Sequence, residues 1–158
     1  MEAVALNARR AVFALLAALA AGGCAPPPGG PDPVYGRLAV ALTPAERGFM
    51  LEEMRHFVQA ARGIIEGIAD HDMKALAAAA RGAGVQVYRG RIAGPGAPPA
   101  LQGKLPPEFR ALDLATRAAF DEMALRAAQS GDRDELLAAL ADNLRRCVAC
   151  HATYRFPG

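Results

Sequence analysis

Apolar residues recur at steps of three and four along four stretches between Thr43 and Tyr154, and each stretch predicts an amphipathic helix. The first begins at Thr43-Pro44-Ala45-Glu46, where Thr43 can cap, Pro44 suits the first helical position and Glu46 completes a capping box. Its apolar seam is Met50, Met54, Phe57, Ala61, Ile64 and Ile68. Asp70-His71-Asp72 interrupts the pattern, and an alanine-rich second helix with Met73, Leu76 and Ala80 runs to about Gly84. Residues 85–106 carry Gly90, Gly94-Pro95-Gly96 and Pro98-Pro99, which read as a long crossover loop. The short alternation Val85-Gln86-Val87-Tyr88 is assigned to that loop, and no strand is predicted. A third helix starts near Pro106-Pro107-Glu108 with the seam Phe109, Leu112, Thr116, Phe120, Met123 and Ala127, and Ser130-Gly131 ends it. Asp132 caps a fourth, with Glu135 three residues on, and its inward seam is Leu137, Leu140, Leu144, Cys147, His151 and Tyr154. Four such helices with one long middle connection predict an all-α fold, an antiparallel four-helix bundle over residues 43–158.

The residues before Thr43 do not share this periodicity. Arg9 and Arg10 form a basic start, Ala11 to Ala21 a short apolar stretch, and Ala21-Gly22-Gly23-Cys24 brings small residues up to a cysteine, the layout of a cleaved export signal over residues 1–23. The apolar stretch falls short of the roughly 20 residues that span a bilayer. The arrangement resembles a bacterial lipoprotein signal, which implies that Cys24 becomes the new N-terminus and carries lipid. Ala21 stands where that pattern usually has Leu, so ordinary signal-peptidase cleavage nearby is the alternative. The following Ala25-Pro26-Pro27-Pro28-Gly29-Gly30-Pro31-Asp32-Pro33 is rich in proline and glycine, and residues 24–42 read as a tether.

Setting aside Arg9 and Arg10 from the 18 basic residues and Glu2 from the 16 acidic ones leaves a net charge near +1, which gives no footprint for nucleic acid. The remaining chain, about 135 residues, is long enough for one self-standing domain. Of the three cysteines, Cys24 sits at the signal boundary and Cys147 and Cys150 form one motif, so no thiol remains for a structural disulfide.

That motif is Cys147-Val148-Ala149-Cys150-His151. Cysteines three apart lie on one helix face and can reach the two vinyl groups of one porphyrin edge, while the adjoining histidine is delivered under the iron. C-x-x-C-H is a c-type haem attachment signal, and the export signal supplies a suitable compartment. The alternatives are a redox disulfide, which normally opens a helix in a βαβ setting, and half of a tetrahedral zinc site, which His56, His71 or carboxylates would have to complete.

With the motif on the last of four helices and followed by an aromatic-arginine pair, His151-Ala152-Thr153-Tyr154-Arg155, the chain resembles the class II c-type cytochromes, the cytochrome c-prime family, over about Thr43 to Phe156. The resemblance implies one covalent haem c, with thioethers at Cys147 and Cys150 and His151 as proximal iron ligand. It also implies that the inward face of the first helix, about three turns in, supplies whatever meets the sixth iron position. Met54 fits that place and Met50, one turn earlier, is second choice; core packing is the alternative for both. Arg155 is implied as a haem contact, and Arg47 and Arg55 as partners of the propionates, against a plain surface role. His56 and His71 read as surface histidines.

The expectation is thus an exported, periplasmic electron carrier, tethered to a membrane through lipidated Cys24 and exchanging electrons with periplasmic or membrane redox partners. By the resemblance a homodimer is a further association. The rival reading is a five-coordinate haem that binds nitric oxide or carbon monoxide, with Met54 only packing. A third is a haem-free thiol redox or zinc-binding lipoprotein. No positioned acid-base pair or nucleophile marks an enzyme apart from the haem chemistry.

Overall fold

The computed structural model describes residues 36–157. The leader expected at 1–23, Cys24 and the first part of the tether lie outside the described residues. The described chain is all-α with a small strand pair, in the order β1 (Leu38–Ala39), α1 (Pro44–Ala69), α2 (Met73–Gly82), α3 (Val85–Ala93), α4 (Leu101–Lys104), α5 (Pro107–Gln129), α6 (Arg133–Thr153) and β2 (Tyr154–Arg155).

The punctuation read from the sequence does its work locally. Thr43 Oγ1 accepts from the Glu46 amide at 3.3 Å and the Glu46 carboxylate accepts from the Thr43 amide at 2.8 Å, closing the capping box ahead of Pro44. Asp72 caps α2 by accepting from Ala75 N at 2.8 Å, and His71 takes the left-handed conformation (φ 57°) in the turn between. Asp132 Oδ1 accepts from the amides of Asp134 and Glu135 and starts α6, after Gly131 makes the left-handed turn (φ 62°) out of α5.

Helices α1, α2, α5 and α6 contact one another in a ring, α1 on α2, α2 on α5, α5 on α6 and α6 on α1. Their inner faces share a core that includes Phe57, Ile64, Leu76, Ala80, Phe120, Met123, Leu136 and Leu140. A second cluster, Val40, Met50, Leu101, Leu105 and Phe109, closes one end and packs on Cys150, Tyr154 and Phe156. Among the described residues no helix is long and apolar enough to cross a membrane.

Three expectations change. The segment assigned to a loop contains α3, because the Asp121 carboxylate accepts from Val85 N at 2.9 Å at the helix start, buried Tyr88 fixes one face, and Arg91 is drawn to Glu53. Its single apolar anchor leaves no periodic stripe to detect. The short α4 sits later in the same segment, fastened by buried Leu101. Secondly, a parallel two-residue ladder exists where no strand was expected: Leu38 is opposite Tyr154, Ala39 opposite Arg155, and Val40 N donates to Arg155 O at 2.9 Å. It uses residues at the end of the 24–42 stretch. Thirdly, α6 is rotated from its expected seam. Leu136, Leu140 and Asn143 point into the core, whereas Leu137 and Leu144 are 51% and 41% exposed.

The approach of α1 to α2 depends on absent side chains. A Cβ at Gly63 would lie 2.7 Å from Ala79 Cβ, and one at Gly67 would lie 2.7 Å from Leu76 Cβ and 2.9 Å from the Asp72 carbonyl oxygen. Neither neighbour is the movable end of a long side chain. Gly67→Ala is therefore expected to lose about 1–3 kcal/mol as overpacking, seen as a lower urea midpoint with unchanged slope. Gly82→Ala, where nothing lies within 4 Å, should leave the midpoint unchanged or slightly higher; equal losses at both positions would contradict a packing limit at α1–α2.

Candidate haem-attachment site

Cys147 and Cys150 stand one turn apart on α6, both half-buried and both free thiols, and His151 follows on the exposed side. They line three adjoining cavities between α1, α5 and α6. One of about 400 Å³ is bounded by Leu51, Met54, Phe109, Cys150, His151 and Tyr154, with Arg37 and Arg155 at its polar side. Another, about 450 Å³, is almost wholly apolar, formed by Phe57, Val58 and Ala61 of α1, Phe120 of α5 and Leu144, Cys147 and Val148 of α6, with Met54 and His151 again present. Both are of cofactor size, within about 300–1,000 Å³. Between them lies a pocket of about 30 Å³ where Asp113 and Thr116 meet Met54, Cys147, Cys150 and His151.

Met54, remote in sequence from the motif, thus lines the same crevice as all three motif residues. Arg155 lines its polar end. Met50 is fully buried in the end cluster and lines none of the three cavities, so its place is core. Arg47 Nε donates to the Phe156 carbonyl at 3.5 Å, beside the polar end, while Arg55 pairs with Glu52 on the surface at 2.5 Å. His56 faces Glu53 and Glu52 at 3.6 and 3.8 Å, and His71 lies 3.3 Å from Arg133 Nη1; neither lines the crevice. Leu144 and Val148, apolar residues on the exposed side of α6, form one wall of it.

No protein-family model, curated protein or solved structure matches this chain. The chemistry of the site must therefore be read from its own groups.

Burial pushes the Cys150 thiol up to about 11, helped by the nearby Asp113 carboxylate and the neighbouring Cys147. Burial also raises Cys147, against the pull of its own backbone hydrogen bond and the Arg146 charge. Reactive redox thiols show the opposite shift, being held as thiolates by positive surroundings. Among the described residues no group of three or more His, Cys, Asp or Glu is placed to hold a metal ion, so the motif gathers no tetrahedral zinc set there. Two thiols on one helix face, an adjoining imidazole and a crevice with an apolar body and an arginine-bearing end do suit a porphyrin with two carboxylates.

Behind the crevice is an ion network that the periodicity reading missed. Glu53, 1% exposed, receives Arg91 through Nε at 2.7 Å and Nη2 at 3.0 Å, and lies 3.0 Å from Arg117 Nη2. Arg117, 0% exposed, donates from Nε to Asp113 Oδ2 at 3.0 Å, and its guanidinium stacks on Tyr88 at 3.5 Å and Phe57 at 4.5 Å. The signal available was a glutamate at the 50-53-57-60 spacing of buried α1 positions and an Asp-Arg pair four apart on α5.

Two outcomes follow for the chain with its thiols free. At pH 8 Cys150 should be alkylated roughly tenfold to a hundredfold more slowly than in urea, the rate climbing towards pH 11, because the thiolate is the reacting form; equal folded and unfolded rates would contradict its buried setting. Arg117→Ala should lower stability by about 3–5 kcal/mol, since it leaves buried carboxylates without their partner, which a denaturant titration reads directly.

Proposed function

We propose that this protein is a class II-like cytochrome c: an exported electron carrier holding one haem c through thioethers at Cys147 and Cys150, with His151 as proximal iron ligand. The observation that carries this reading is the shared crevice, in which the C-x-x-C-H residues of α6 face Met54 of α1 across cofactor-sized, largely apolar space. The α1–α2–α5–α6 ring supports the antiparallel four-helix bundle, because α1 joins α2 and α5 joins α6 through short turns, and short turns make antiparallel neighbours.

Bound there, haem supplies reversible one-electron chemistry at iron, and the chain supplies ligands, burial and polarity. On this reading Met54 and His151 are the residues that would hold the iron, and a filled ligand set would favour electron transfer over gas binding. The apolar wall of Phe57, Val58, Ala61, Phe120, Leu144 and Val148 excludes water from the ring. Arg155, with Arg37 and Arg47 close by, gives its carboxylates a cationic end. Exposed His151 and Val148 keep the cofactor near the surface, within reach of a redox partner. Raised thiol pKa values argue against the haem-free redox alternative. The export signal and Cys24 support a periplasmic site tethered through lipid.

Expression with haem-maturation machinery should give a pigment that survives denaturing electrophoresis and is lost in Cys147→Ala/Cys150→Ala. Optical and resonance Raman spectra of the intact protein should show six-coordinate low-spin iron with a methionine-sulfur band that disappears in Met54→Ala. Five-coordinate high-spin iron that takes up nitric oxide or carbon monoxide would instead establish gas binding with Met54 as packing. Absence of covalent pigment in the unsubstituted protein would sink both readings.

A further inference from the structure

Asp113 takes no part in attachment or ligation, yet it is the one carboxylate lining the small pocket behind Cys147, Cys150 and His151. Its side chain is only 9% exposed. Burial raises the Asp113 carboxyl pKa and the hydrogen bond from Arg117 Nε to Oδ2 at 3.0 Å opposes it, while Oδ1 is buried without a hydrogen-bond partner. Arg117 is itself held from several sides: its guanidinium lies 3.5 Å from the Tyr88 ring centroid and 4.5 Å from that of Phe57, and Nη2 is 3.0 Å from Glu53. The charged groups around Asp113 come from four elements. Arg117 shares its helix, Glu53 of α1 and Arg91 of α3 balance each other farther back, and Arg146 of α6 also lines the pocket but gives Nη1 to Asn143 Oδ1 at 3.3 Å. The network as a whole is two carboxylates and two guanidinium groups, and the carboxylate of Asp113 is its member nearest the crevice.

Resting on the haem reading above, we propose that Asp113 is a fixed internal charge that sets the haem potential, its carboxylate favouring the ferric over the ferrous state. The physical reason is Coulombic. The oxidised ring and iron carry one more positive charge than the reduced form, and a carboxylate held in a low-dielectric interior acts on that difference far more strongly than one in water. Rigidity matters as much as sign, because a side chain clamped at one oxygen cannot relax to cancel the effect when the iron changes state.

The test is a spectroelectrochemical titration of the intact holoprotein at pH 7 and fixed ionic strength. Asp113→Asn should raise the midpoint potential by about 59 mV or more, which is a tenfold change in the one-electron equilibrium. Glu53→Gln makes the same charge change on a residue that lines none of the three cavities, and should raise it by less. Asp113→Glu keeps the charge and should stay near the unsubstituted value. Should the asparagine variant fail to accumulate folded, Asp113→Ser removes the same charge, with circular dichroism and covalent haem content checking each protein. An unchanged potential in the charge-removing variant, an equal rise in Glu53→Gln, or an equal rise in Asp113→Glu would overturn the proposal. Its failure is distinct from failure of the haem reading, which shows as absence of covalent pigment before any potential is measured.

Discussion

The architecture turns on the burial of Glu53 in the middle of α1. A carboxylate there loses its hydration, and the penalty is offset only by close cationic partners with good geometry. Those partners come from two other parts of the chain: Arg91 from α3 and Arg117 from α5. A charge that must be met from both sides fixes where these helices can sit, since an apolar contact tolerates sliding that a paired charge does not. The same arginine that meets Glu53 stacks its guanidinium on Phe57, and Phe57 stacks in turn on Phe120 with ring centroids 5.7 Å apart. The inner wall of the crevice is thereby tied to the ion network.

Helix α1 consequently works on three sides at once. Gly63 and Gly67 let it lie close against the alanine-rich α2, Glu53 engages α3 and α5, and Met54, Val58 and Ala61 face the C-x-x-C-H helix across the cavity. The tight contact with α2 and the pairing with α5 hold α1 on two flanks, which leaves the α1–α6 side free to remain open. A groove that persists in a packed helical domain needs such support, because an unsupported apolar gap would close to recover contacts.

Much of this was legible from residue spacing, and the failures have physical causes. The helix limits at Thr43 and Asp132 were readable because capping is local chemistry, and the break at residues 70–72 because three polar residues interrupt the apolar seam. Met54 lines the same crevice as the motif residues, a neighbourhood that the helical spacing of the two stretches had suggested. Helix α3 was not readable, since its order comes from Asp121, Glu53 and the burial of one tyrosine, all but the last supplied by distant residues. The β1–β2 ladder joins the two ends of the described chain and depends on backbone pairing, which leaves no trace in so short a side-chain pattern. The network was hidden because a periodicity reading treats every charge as solvent-facing, while Glu53 and Arg117 occupy core positions and form an ion pair there at 3.0 Å.

The rotation of α6 is the most informative of these differences. Leu137, Leu144 and Val148 are apolar residues on an outer stripe of a helix whose core contacts are made by Leu136, Leu140 and Asn143. Isolated exposed leucines need no explanation, but Leu144 and Val148 share one cavity wall with Val58, Ala61 and Phe120, so the apolar surface is continuous and concave. A partner helix laid along that stripe would not need two thiols and an imidazole at its edge, nor arginines at its far end. A haem attached as proposed would use all of them: apolar walls for its faces, cysteines for one edge, and cations for its acidic edge. On the haem reading proposed above, Leu144 and Val148 would face the ring, which would account for their departure from simple amphipathic packing beside the motif.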